Sequence, residues 1–286
     1  MKLPPETRLG TVTLAVSDLA RTSAFYEQGV GLDRLEASTD EVLLGSRSEP
    51  LLRLLARPDL PPAPRGSAGL YHTAVLFEER SVLAAALQRA ATTFPESFTG
   101  SADHLVSLAF YFSDPEGNGV ELYWDRPRDE WRWQDGSVAM DTLPVDPNSF
   151  IAEHRAGEGE LDAPLEAEAT IGHVHLKVGE IPAARAFYVD ALGFGVTVDT
   201  WPSALFVSAG GYHHHVGMNV WESRGAGPRE PTRGLHGFEI LVPDEATVDG
   251  ITTRLERAAV DFERSSAGLS FRDPWNTNVE VRVEPT

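Results

Sequence analysis

The sequence predicts an α+β fold made of four βαβββ-like units in tandem, and three internal repeats carry that reading. The run Leu9-Gly10-Thr11-Val12-Thr13-Leu14-Ala15-Val16 recurs as Ile171-Gly172-His173-Val174-His175-Leu176-Lys177-Val178. The same offset carries Phe25-Tyr26 onto Phe187-Tyr188 and Gly31-Leu32 onto Gly193-Phe194. A second pair matches Gly69-Leu70-Tyr71-His72 with Gly234-Leu235-His236-Gly237. Each of these runs leads through a helical stretch to a strand–turn–strand, Asp114-Pro115 to Glu121 and Asp273-Pro274 to Glu280, with equal Asp-to-Glu spacing.

Unit one, about 8–57, opens on an alternating strand pattern and passes into a short helix. Unit two, about 68–126, has a strand, a helical stretch near 80–92, and the hairpin that ends at Glu121. Unit three, about 169–222, repeats the first, with a helix near 180–192 whose early Pro182 is well tolerated. Unit four, about 233–284, repeats the second, with a helix near 244–259. The chain thus divides into an N-terminal module, 1–126, an acidic linker, 127–168, and a C-terminal module, 169–286. The linker carries Asp129, Glu130, Asp135, Asp141, Glu153, Glu158, Glu160, Asp162, Glu166 and Glu168, and Trp131 and Trp133 are expected to anchor part of it. Phe25-Tyr26 and Phe187-Tyr188 read as core, and Asp125-Arg126-Pro127-Arg128 as a surface turn in which Arg126 pairs with a linker acid.

The 286 residues suffice for two domains, and a 42% hydrophobic fraction can build a core. The absence of cysteine excludes disulfides, thiolate metal sites and Cys nucleophiles. A formal net charge of −19 repels polyanions and argues against nucleic acid as a partner. The start Met1-Lys2-Leu3-Pro4-Pro5-Glu6 lacks a signal-peptide apolar core, and no run reaches the roughly 20 apolar residues of a membrane span. The expectation is a soluble cytoplasmic protein with no membrane partner, compatible with a homo-oligomer.

The stretch from Asp103 to Glu121 concentrates the chemistry. Residues 106–112 are apolar and aromatic, as a strand requires. Asp114-Pro115-Glu116-Gly117-Asn118-Gly119 is turn chemistry, and residues 120–124 form the returning strand. His104 and Tyr111 come near Glu121 only if the pairing register allows it. The series His104, Phe110-Tyr111, Asp114-Pro115-Glu116-Gly117, Glu121 resembles the signature of the ring-cleaving extradiol dioxygenases, with Ala102 departing from the usual residue. The four-unit architecture resembles the vicinal-oxygen-chelate superfamily of glyoxalases, bleomycin-resistance proteins and extradiol dioxygenases. The phrase Gly210-Gly211-Tyr212-His213-His214-His215 looks similar to two-module bacterial catechol 2,3-dioxygenases.

The resemblance implies two modules with cup-shaped mixed sheets and a non-haem Fe(II) or Mn(II) site of two His and one Glu. It also implies a small aromatic diol and O2 as substrates and a muconic semialdehyde as product. By that carry-over His72, His173 and Glu121 hold the metal, His215 or its neighbour His214 is the acid–base residue, and His104 and Tyr111 contact substrate and oxygen. Unit one offers Thr11 where unit three has His173, so the complete set comes from units two and three. The alternative, units three and four, offers His173, His236 and Glu280 but has Ser270 in place of Tyr111. His175 lies on the same strand face as His173 and is either a substrate-side or a structural group. Phe110, Trp124 and Trp221 are candidate pocket walls. The competing functions are a glyoxalase-like isomerase or lyase, which would use two His and two Glu, and a non-catalytic small-molecule-binding relative.

Overall fold

The computed structural model describes residues 2–155 and 169–284. The acidic positions Glu158, Glu160, Asp162, Glu166 and Glu168 lie outside the described residues. Unit one comprises β1 (Arg8–Val16), α1 (Leu19–Ala24, continuing as a π-helical turn, Phe25–Val30), β2 (Asp33–Ala37), β3 (Glu41–Ser46) and β4 (Glu49–Ala56). Unit two comprises β5 (Gly69–Phe77), α2 (Arg80–Thr93), β6 (Phe98–Asp103), β7 (Ser107–Ser113) and β8 (Gly119–Asp125). A connecting segment holds the two-residue strands β9 (Trp133–Gln134) and β10 (Ser137–Val138) and helix α3 (Pro147–His154). Unit three comprises β11 (Ala169–Lys177), α4 (Ile181–Arg185, continuing as a π-helical turn, Ala186–Ala191), β12 (Gly195–Val198), β13 (Ala204–Ser208) and β14 (Val216–Asn219). Unit four comprises β15 (Gly234–Val242), α5 (Glu245–Arg257), β16 (Phe262–Ser265), β17 (Gly268–Arg272) and β18 (Asn278–Val283).

Apart from β9 and β10, which pair with each other, these strands form two eight-stranded mixed sheets. One has the order β16-β17-β18-β15-β1-β4-β3-β2 and joins units four and one; the other has the order β12-β13-β14-β11-β5-β8-β7-β6 and joins units three and two. The central seam of each is an antiparallel pair of first strands, β1 with β15 and β11 with β5. Each sheet therefore draws one unit from each half of the sequence, and the repeat boundaries at 126 and 169 are not sheet boundaries. One apolar cluster packs the helices against both sheets and contains Phe25, Tyr26, Phe187 and Tyr188.

The two repeats also explain the conserved shape of the Asp-Pro turns. Tyr26 donates its hydroxyl hydrogen to Asp114 (3.1 Å), and Tyr188 does the same to Asp273 (3.0 Å). Each Asp then accepts backbone N–H groups of its own turn, from Glu116 and Asn118 in one and Trp275 and Thr277 in the other. A helix of one unit thus pins the hairpin of its sequence neighbour, and buried acceptors find their partners. Trp131 is buried and packs on Tyr212 and His213, as an anchor should, whereas Trp133 is exposed.

Candidate metal centre and substrate cavity

One row across the second sheet assembles the site. Tyr111 on β7 lies opposite Glu121 on β8, Glu121 lies beside Ala74 on β5, and Ala74 lies opposite His173 on β11. His72 stands two residues before Ala74, hence on the same face, and pairs with His175. The small Ala74 side chain leaves room for the larger groups to converge over it. Register is decisive here, because a slip by one residue would send every one of these side chains to the helix side. The register is adjusted by a bulge at Gly172, between Ile171 and His173. A Cβ on Gly172 would stand 1.7 Å from the Tyr123 hydroxyl oxygen, so no other residue fits without a shift.

His72 Nε2 lies 2.9 Å and His173 Nε2 3.3 Å from Glu121 Oε2, and the two nitrogens are 3.3 Å apart. All three residues are buried, and among the described residues they form a cluster able to hold a metal ion. Burial lowers the His173 pKa to about 4, which keeps its imidazole neutral. Burial opposes ionisation of Glu121, but the facing His173 and His72 outweigh it and hold the carboxyl well below the usual carboxylate range. The donor set is therefore one anion with imidazole nitrogens aimed at a common point. An ion coordinated at about 2.1 Å with ligands at right angles separates them by about 3 Å, so the residues fit a divalent cation. One departure stands out: Nδ1 of His173 is buried without a hydrogen-bond partner among the described residues, whereas a ligand imidazole usually donates through its second nitrogen.

A cavity of about 880 Å³ opens over this cluster, lined by His72, Glu121 and His173 together with His104, Tyr111, His175 and His214. His104 Nδ1 lies 2.7 Å from the Asp141 carbonyl oxygen, so that nitrogen carries a proton. In the neutral ring Nε2 is then an acceptor, and the Tyr111 hydroxyl donates to it at 2.6 Å. Burial and the Glu121 charge raise the Tyr111 pKa well above the ordinary phenol value, so it stays a donor. His175 is fixed in the same way. Asn219 Oδ1 accepts from Trp221 N–H, which leaves its Nδ2 to donate to His175 Nε2 at 3.0 Å. The ring lies over Gly217, where a Cβ would approach it to 3.1 Å.

The three consecutive histidines separate by role. His213 Nε2 donates to Asp125 (2.8 Å), which leaves Nδ1 of a neutral His213 to accept from His214 Nδ1 (2.8 Å). His214 then carries a bare Nε2, and its ring packs tilted against His173 with centroids 4.1 Å apart. Burial, reinforced by His173, holds the His214 pKa well below the usual imidazole value. His215 takes another course: its Nδ1 accepts from Ala209 N–H, and its ring packs on Tyr212 outside the cavity lining. Asp125 also accepts from Tyr212, which accepts in turn from Tyr123, so it belongs to a buried network rather than to a surface turn. Arg126 pairs with Asp103 (2.7 Å), not with a linker acid. Of the expected walls, Trp221 lines the cavity; Phe110 packs on Phe150 in the core, and Trp124 lies under Arg80.

The corresponding face of the first sheet is differently built. Register puts Thr11, Gly237 and Glu280 where the second sheet has His173, His72 and Glu121. Ser270 lies opposite Glu280 as Tyr111 lies opposite Glu121. His236 is exposed. Arg282 bridges Glu239 (3.0 Å) and Glu280 (2.5 Å), and Glu239 accepts from Thr11 N–H, so ion pairs occupy this face. His173 and Glu280 belong to different sheets, which removes the grouping His173, His236, Glu280 as one site.

Comparison with known proteins agrees with this layout. The family model of the Glyoxalase/Bleomycin resistance protein/Dioxygenase superfamily matches the chain twice, over residues 8–122 and 170–281. The chain belongs to that superfamily. Its two cup-like sheets are the vicinal-oxygen-chelate fold. Within the superfamily, the Catechol-2,3-dioxygenase of Bacillus subtilis (strain 168) is 37% identical over 275 residues, 94% of each chain. Solved structures with a similar fold include a candidate dioxygenase of Bacillus subtilis subsp. subtilis str. 168, at TM-score 0.62 and 12% identity over 100% of this chain and 87% of that one. Glyoxalase I from Zea mays superposes at TM-score 0.57 and 15% identity, over 97% and 92% of the two chains. Among the described residues no helix is long and apolar enough to cross a membrane.

Proposed function

We propose that this superfamily member is an extradiol ring-cleaving dioxygenase. It would insert both atoms of O2 into catechol or a substituted catechol beside the diol and yield a muconic semialdehyde. The observation that carries the reading is the convergence of His72, His173 and Glu121 under a cavity that also holds Tyr111, His104 and His214. His72, His173 and Glu121 would hold a non-haem Fe(II), with Mn(II) as the alternative. When bound, that ion supplies Lewis acidity that favours the anionic diol and one-electron chemistry with O2. Tyr111 donates its one hydroxyl hydrogen to His104 Nε2, which leaves its oxygen free to accept a hydrogen bond from a diol O–H and orient it. His214 offers a bare Nε2 as the acid–base group, oriented by His213 and Asp125 as a base is oriented by a third group in other proton-transfer sites. His215 faces away from the cavity, so the acid–base role is assigned to His214. The Bacillus relative's name supports the activity.

A glyoxalase-like reaction would need a second carboxylate, and among the described residues the cluster contains one. The test is metal analysis of anaerobically purified protein together with catechol-dependent O2 uptake. About one Fe(II) or Mn(II) per chain and one O2 per catechol are expected. Metal binding without O2 uptake would refute the dioxygenase reading.

A further inference from the structure

Resting on the dioxygenase reading, we infer that the substrate is a catechol bearing a bulky, uncharged, apolar substituent, and that catechols carrying a carboxylate are rejected. Two observations carry this. The first is charge. No lysine or arginine lines the cavity, while Glu121 and Asp141 both do. Every lysine and arginine of the chain is among the described residues, because Met1, residues 156–168 and the last two residues contain none. Lys177, close in sequence to the site, pairs instead with Glu222 (3.6 Å). With Glu121 engaged by the ion, a ring carboxylate would give up part of its water to an aromatic wall, find no lysine or arginine there, and meet Asp141 as the remaining charged side chain of the lining; placing a charge without a partner is costly in recognition.

The second is shape. About 880 Å³ is within the range that encloses a drug-sized ligand, well beyond a bare catechol ring. The wall beside the cluster is aromatic. Tyr71 contacts both His175 (centroids 5.1 Å) and Trp221 (5.5 Å), and Phe206 contacts His175 (5.5 Å) and Trp201 (5.9 Å). Trp221 and Trp201 are 53% and 40% exposed, large apolar surfaces left open beside a binding cavity. Such a wall recognises an apolar substituent by area and ring contact, and no lysine or arginine stands on it to pair with an anion.

The experiment compares 3,4-dihydroxyphenylacetate with its methyl ester, which differ in charge at nearly constant shape. Catechol and 3-phenylcatechol serve as references. Turnover is read as O2 uptake by Fe(II)-loaded full-length protein, and binding is read anaerobically as tryptophan quenching in the same metal-loaded protein. The ester is expected to exceed the acid at least about 100-fold in kcat/KM and in affinity, with 3-phenylcatechol favoured over catechol. An acid used or bound as well as its ester overturns the inference. If no catechol is turned over, the dioxygenase reading falls, while the quenching titration still decides the charge selectivity. Trp201→Arg, at an exposed position, should narrow the ester-to-acid ratio. A ratio unchanged in that variant shows that cavity charge does not set the preference, and the inference fails.

Discussion

Replacing Glu121 and Glu280 separately by Ala tests the address of the proposed metal centre. Glu121 is 2% exposed and its Oε2 faces both His72 and His173. Its loss removes the one anion of the donor set. Glu280 is half-exposed and pairs with Arg282, a contact worth about 0–1 kcal/mol by the usual measure of surface ion pairs. A ligand at 100 times its Kd stabilises the folded state by about 2.7 kcal/mol. With an unfolding entropy of about 2.1 cal/mol/K per residue, that corresponds to a rise in Tm of about 4–5 °C for this chain. Differential scanning calorimetry under argon, with and without Fe(II) or Mn(II) at that excess, is the assay. Wild type and Glu280→Ala should show the full shift and one metal per chain; Glu121→Ala should show neither. Retention of the shift in Glu121→Ala with its loss in Glu280→Ala would put the metal on the other sheet and refute the assignment.

Tyr111→Phe and His214→Gln should keep their metal while kcat falls ~10²–10⁴-fold, the usual worth of an acid–base group, whereas His215→Gln should cost less than about tenfold. Metal analysis beside steady-state O2 uptake decides, and loss of metal in Tyr111→Phe or His214→Gln would mark a ligand instead. Glu116 carries the pH prediction. Burial opposes its ionisation, but hydrogen bonds from Ser17 and Asp18 and the nearby Arg233 hold its pKa below the usual carboxyl value. Its contribution is therefore present above the unfolded-state pKa of about 4.3 and is lost as pH falls through the lower folded-state value. The stability gap between wild type and Glu116→Gln in urea titrations should be constant near neutrality and close on acidification; a gap that widens in acid contradicts the sign. Gly172→Ala should destabilise by about 1–3 kcal/mol, since its methyl meets the Tyr123 hydroxyl; an unchanged urea midpoint would show that the bulge relaxes freely.

Much of this layout is legible in the residues. The repeats mark four units because each must recreate the same alternation, helix and turn to bury one sheet face. The Asp-Pro turn with Tyr111 and Glu121 at its flanks is local, and the hairpin register that the structure adopts brings those two opposite each other. His72 and His173 stand out because Gly237 and Thr11 occupy the same places in the sister units. Other features depend on contacts between residues far apart in the chain. Whether unit two joins unit one or unit three is a choice between first strands that all read as alternating apolar runs, and backbone hydrogen bonds do not distinguish them; side-chain fit across the β11–β5 seam does. The roles of His213, His214 and His215 were open for a related reason. They precede β14 in irregular backbone, where no two-residue period assigns faces, and only contact with Asp125, His173 and Ala209 separates them. Asp125 itself reads as a turn residue until Tyr212 and His213, nearly ninety positions away, fold down on it. The sequence by itself determined the units and the hairpin; the tertiary structure alone decided which units share a sheet and which histidine faces the cavity, because those depend on long-range packing rather than on local periodicity.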